Sequence, residues 1–113
     1  MFGKKKIKIK NVGTSFDRMI IYNISADKEV EEQMLELADA LLGNCPVLVN
    51  FEKMPDLNAC NHILSFLSGV IYAVSGETHK IGAESYLIAT KAAFEDGSLR
   101  KWVKEFGQAA VDE

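Results

Sequence analysis

Pro46-Val47-Leu48-Val49-Asn50-Phe51 is an apolar, β-branched run that begins at a proline and is too short for a helix. It reads as a strand apolar on both faces, hence a central one, with the proline where no ladder N–H is needed. Upstream, Met19-Ile20-Ile21-Tyr22-Asn23-Ile24 is a second such run, bounded by Ser25 and Asp27, and reads as a buried strand. Between the two, Val30, Met34, Leu37, Ala38 and Leu41 recur at helical spacing. Asp27 stands as the expected N-cap, Glu29, Glu31 and Glu32 suit the first turn, and Gly43 or Asn44 closes the helix.

Downstream, Pro55 and Asp56 open a longer helix with apolar residues at Leu57, Cys60, Ile63, Leu64, Leu67, Val70, Ile71 and Val74. Phe66 and Tyr72 widen that stripe beyond one core contact. The helix therefore needs a second partner, either another copy of the chain or the C-terminal helix. Ser75-Gly76 ends it. Residues 78–81 and 86–90 then flank Gly82-Ala83-Glu84-Ser85 as a hairpin. Asp96 or Ser98 caps a last short helix carrying Leu99, Trp102, Val103 and Phe106. The order β-α-β-α-β-β-α, with right-handed crossovers, predicts an α/β fold. The expected architecture is a small mixed β-sheet with two helices packed on one face, an α/β sandwich, plus a short C-terminal helix.

At 113 residues the chain fits one domain, and 48% apolar with 26% charged residues excludes a disordered one. No apolar run approaches a membrane span and none follows the N-terminal lysines as a secretory signal would, so the expected location is cytoplasmic. The net charge of −3 conceals an asymmetry. Lys4, Lys5, Lys6, Lys8 and Lys10 fall in the first ten residues, which hold no acid, leaving 8 basic against 16 acidic residues for the body. That divides the chain into a basic N-terminal segment, 1–16, and a core domain with a C-terminal extension, 17–113. An acidic body argues against nucleic acid, which needs clustered Lys and Arg.

Catalytic chemistry finds little support. Cys45 and Cys60 form no C-x-x-C pair and read as free thiols. His62, two residues from Cys60 on the same helix, faces elsewhere, so no metal site is expected. Ser65 near His62 lies mid-helix, with no tight turn to present a nucleophile. The glycines match neither a phosphate loop nor a dinucleotide fingerprint. Gly69, Gly76 and Gly82 read as packing and turn residues. The residues point to neither an enzyme nor a bound cofactor.

What remains is one long ordered run, residues 63–82, containing Phe66-Leu67-Ser68-Gly69, Tyr72-Ala73, Gly76 and Lys80-Ile81-Gly82, followed by Tyr86-Leu87-Ile88-Ala89-Thr90. This combination closely resembles the core of the bacterial and archaeal SepF cell-division family. The upstream Pro46–Met54 stretch agrees, and the resemblance extends over residues 18–90. It implies a non-enzymatic adaptor that binds the C-terminal tail of the tubulin-like GTPase FtsZ, dimerises and often polymerises. It also implies attachment through an N-terminal amphipathic segment to the inner face of the cell membrane at the division site. Lys80 and Tyr86 match the family's tail-binding positions, with Tyr86 where phenylalanine is usual. The sequence departs from the family in its minimal linker before the core, in Ala89-Thr90-Lys91 where proline is common, and in the extension around Trp102. The alternative is a cytosolic small-ligand or regulatory α/β module with no filament partner.

Two further expectations concern surfaces. Phe66, Gly69 and Val70 should meet a symmetry mate in a homodimer. Phe2, Lys4, Lys5, Lys6 and Ile9 should meet an anionic membrane. Drawn as a helix, Phe2, Ile9, Val12 and Phe16 share an arc, whereas the Lys-Ile alternation suits an extended segment equally well. Composition alone slightly favours a solvated tail.

Overall fold

A computed structural model describes residues 13–107. Strand β2, Val47–Asn50, sits inside the sheet as its two-sided apolarity demands, with Val47 and Val49 fully buried. On one side it pairs in parallel with β1, Ile20–Asn23. On the other it pairs antiparallel with β4, Ser85–Ala89, which also pairs antiparallel with β3, Glu77–Lys80. The sheet order is β1-β2-β4-β3, so the hairpin places its second strand at the centre and leaves β3 on an edge.

The other edge corrects an expectation. The first strand does not lie buried: Ile20 is 39% and Ile21 64% exposed, Tyr22 packs only partly against the core, and just the following Ile24 is fully buried. Apolar composition is the same for an edge strand and a central one, and this strand has one neighbour.

Helices α1, Val30–Leu42, and α2, Leu57–Ala73, cover one face of the sheet. Met34, Leu37 and Leu41 of α1 and Cys60, Ile63, Leu67 and Ile71 of α2 join Val47, Val49 and Ile88 in the main core. The first helix starts later than expected. Glu29, not Asp27, is its N-cap residue and makes no side-chain cap bond. The loop before it is pinned instead by fully buried Gln33. Its amide accepts from the Ser25 N–H at 2.9 Å and donates to the Ser25 carbonyl at 2.9 Å. The second helix opens after Pro55 and Asp56 as expected, and Asp56 caps it, accepting from the N–H groups of Asn58 and Ala59.

Both helices end in the same motif. After α2, the Ser75 N–H bonds Tyr72 O and the Gly76 N–H bonds Ile71 O. After α1, Asn44 and Cys45 bond Leu41 O and Ala40 O likewise. The left-handed residues are Asn44 at φ 65° and Ser75 at φ 58°, neither of them glycine. Gly76 is required for a different reason: a Cβ there would lie 2.4 Å from the Ala89 carbonyl oxygen.

Beyond the hairpin, Thr90 caps a four-residue helix, α3, Lys91–Phe94, too short to announce itself by helical spacing. The expected terminal helix follows as α4, Ser98–Trp102, running into a π turn, Val103–Gly107. This extension supplies Ala93, Phe94 and Leu99 to a second core with Leu87 and Ala89, on the face away from α1 and α2. The C-terminal helix therefore covers the sheet, not the surplus surface of α2.

Candidate functional site

Strand alternation sends Tyr86 and Ile88 of β4 toward the helices and Leu87 and Ala89 toward the C-terminal extension. Lys80 is the cross-strand partner of Tyr86, so the two side chains share the helix-side face. The Tyr86 ring is half-buried and meets Phe51 edge-on, with centroids 5.9 Å apart. Lys80, at the end of the edge strand, is exposed. The result is an aromatic floor beside an unobstructed cation, a pairing that can receive an apolar side chain and a carboxylate of an extended peptide.

On α2, Phe66 and Val70 are half-buried along one flank and Gly69 is open beside them. A Cβ at Gly69 would meet nothing within 4 Å. Farther round the same helix Tyr72 is 87% and Leu57 75% exposed. Phe2, Lys4, Lys5, Lys6 and Ile9 lie outside the described residues.

Two polar clamps bind the C-terminal extension to the rest of the fold, and no local pattern in the sequence marks either. Arg100 forms a two-pronged pair with Glu77, at 2.9 and 2.6 Å, while its guanidinium lies 4.7 Å from the Phe94 ring centroid. That pair, helped by His79 at 2.7 Å, holds the Glu77 carboxyl down at about 2. The second clamp is Asp96, which accepts from the Ser15 N–H at 2.8 Å and from the Ser98 N–H at 2.9 Å. These backbone donors bring its carboxyl down to about 2. The Phe16 N–H adds a bond to Ser98 Oγ at 3.0 Å. Residues 13–16 thereby dock against α4, with Phe16 and Trp102 ring centroids 5.8 Å apart.

Among the described residues no cluster of His, Cys, Asp and Glu is arranged to hold a metal ion. No described helix is long and apolar enough to cross a membrane. Cys60 is buried and Cys45 half-buried, both free.

Comparison with known proteins gives these residues a context. The SepF-like protein from Archaeoglobus fulgidus superposes with a TM-score of 0.57 over 64% of this chain and 83% of that one, at 11% identity, a likeness of fold. The cell division protein SepF of Carboxydothermus hydrogenoformans is 32% identical over 90 residues, covering 80% of this chain and 62% of that protein. That of Lactobacillus johnsonii is 30% identical over 100 residues, covering 88% of this chain and 65% of its own. The chain thus spans about three fifths of the length of the curated relatives it matches. The family model described as cell division protein SepF matches residues 28–93, more than half of the sequence. The chain belongs to the SepF family of cell division proteins.

Proposed function

We propose that this chain is a non-enzymatic adaptor of cell division that grips the C-terminal tail of FtsZ and links it to the membrane. Lys80 and Tyr86 contact the tail, Phe66, Gly69 and Val70 meet a second copy, and the basic segment 1–16 attaches to the anionic inner face of the cell membrane at the division site. The core and its extension, 17–113, form the adaptor body. The observation that carries this reading is the register that makes Lys80 and Tyr86 direct cross-strand partners on an edge hairpin. A tail there gains aromatic contact area at low entropic cost and one charge pair. The deciding experiment is sedimentation with polymerised FtsZ. The chain should pellet with full-length polymers and stay in solution with polymers lacking the tail; equal pelleting would overturn the assignment.

Self-association has its own test in Gly69→Arg. The position is open and mid-helix, so replacing glycine should hold or raise stability, by about 0.5–1 kcal/mol. The long cation should nonetheless prevent close approach of a mate. Light scattering is expected to find dimers for the unmodified chain and monomers for the variant at the same concentration.

A further inference from the structure

We propose that Trp102 and Phe106, continued by Phe16, form a second contact with the membrane, one that fixes how the domain faces it. The proposal rests on the membrane attachment proposed for residues 1–16 and deepens it. The three rings make a ladder, Phe16 to Trp102 and Trp102 to Phe106, each step 5.8 Å between centroids. Phe16 is 38% and Phe106 51% exposed, and Trp102 is half-buried between them. A single exposed apolar residue needs no explanation, but three aromatics in tilted contact are a patch. Beside them runs a shallow groove of about 290 Å³, lined by Thr14, Ser98, Lys101 and Glu105 as well as by Phe16 and Trp102.

Two independent features select an anionic bilayer as the occupant. The first is reach. Lys10 precedes Phe16 by six residues, so the five lysines begin within about 20 Å of the ladder, at roughly 3.5 Å per residue. Asp96 and Ser98 hold the root of that segment against α4, so a surface attracting the lysines meets the ladder next. The second is the distribution of charge. Exposed Glu31, Glu32 and Asp39, with Glu36 paired to Lys28, all lie on α1, on the opposite side of the sheet from the ladder. An anionic surface repels that side. On the ladder side, exposed Lys101 and Lys104 flank the rings beside Glu105, while Asp17 and Asp96, still charged, accept from the N–H groups of Thr14, Ser15 and Ser98, and Glu95 is exposed before α4. Tryptophan suits the boundary between headgroups and acyl chains, with an apolar body and an N–H that can stay wet.

Trp102 is the only tryptophan in the chain, so its fluorescence reports this contact directly. The full chain should be mixed with vesicles of phosphatidylglycerol and phosphatidylcholine, and with the same vesicles carrying acyl-brominated phosphatidylcholine. Trp102 emission is expected to shift to the blue on binding and to be quenched by the brominated lipid. Phe106→Ser should weaken vesicle binding about fivefold, the value of half a phenylalanine's apolar burial. A chain that binds vesicles with Trp102 emission unshifted and unquenched would overturn this proposal and leave attachment by residues 1–16 standing. A chain that does not bind vesicles at all would overturn both. A blue shift that grows with protein concentration without lipid would assign the ladder to a second copy and overturn it too.

Discussion

Lys80→Glu is expected to lower affinity for an FtsZ tail peptide by at least tenfold, about 1.4 kcal/mol or more, while the unfolding curve stays in place. Lys80 is exposed at the end of an edge strand, so reversing its charge leaves the core untouched, and surface changes of this kind usually move stability by less than about 0.5 kcal/mol. Its neighbour cannot be tested as cleanly. The Tyr86 ring packs on Phe51 and the main core, so Tyr86→Ala would remove stability, about 3 kcal/mol, together with any binding contact. Tyr86→Phe is the informative partner, keeping the ring and deleting only the hydroxyl. Calorimetric titration of the tail peptide into each variant, with thermal melts alongside, separates the two effects. Unchanged affinity in Lys80→Glu would remove this face from the proposal.

Gly76→Ala should be the most damaging single methyl that can be added to the 63–82 run. The new Cβ would lie 2.4 Å from the Ala89 carbonyl oxygen and 2.9 Å from Ile71 Cδ1. The first of these is backbone at the end of β4, paired with Glu77 of β3 and belonging to a residue fully buried in the second core, so it has little room to swing away. Forcing it aside should cost about 3 kcal/mol, at the upper end of overpacking, and lower Tm by about 10–20 °C. Gly69→Ala is the control. Seven residues earlier in the same run, it enters open space and should leave Tm unchanged or raise it. Circular-dichroism melts of both variants check the contrast, and equal Tm values would contradict the close approach of α2's end to β4.

How far the sequence foretold this arrangement depended on the range of each interaction. The helical spacing of Cys60, Ile63, Leu67 and Ile71, the opening of that helix after Pro55-Asp56 and the turn at Gly82 are local, and all three appear where the residues put them. Strand order is not local. Nothing in residues 19–24 distinguishes an edge strand from an inner one, and nothing in residues 85–89 says that they insert between β2 and β3. Thr90 gives no cap signal in the sequence because the helix after it is only four residues long, too short to show a period. Gln33 looks like one more polar helix residue, yet its neighbours bury it completely. At the candidate site, Lys80 and Tyr86 came from the family resemblance, and the register then set them side by side. The Phe16–Trp102–Phe106 ladder carried no motif, since its first member lies more than 80 residues from the others.

That separation has a consequence for synthesis on the ribosome. Ser15 emerges early, but the carboxylate that anchors it lies 81 residues later. At translation speeds of about 5–20 residues per second, the root of the basic segment waits roughly 4–16 s for its dock to be made. The α1 and α2 layer can form against β1 and β2 in that interval, whereas the 13–16 turn can settle only after Asp96 and Ser98 have left the exit tunnel. Docking is therefore a closing event in the life of the nascent chain, and a ribosome stalled before residue 96 would leave residues 13–16 without the partners that hold them to the folded layers.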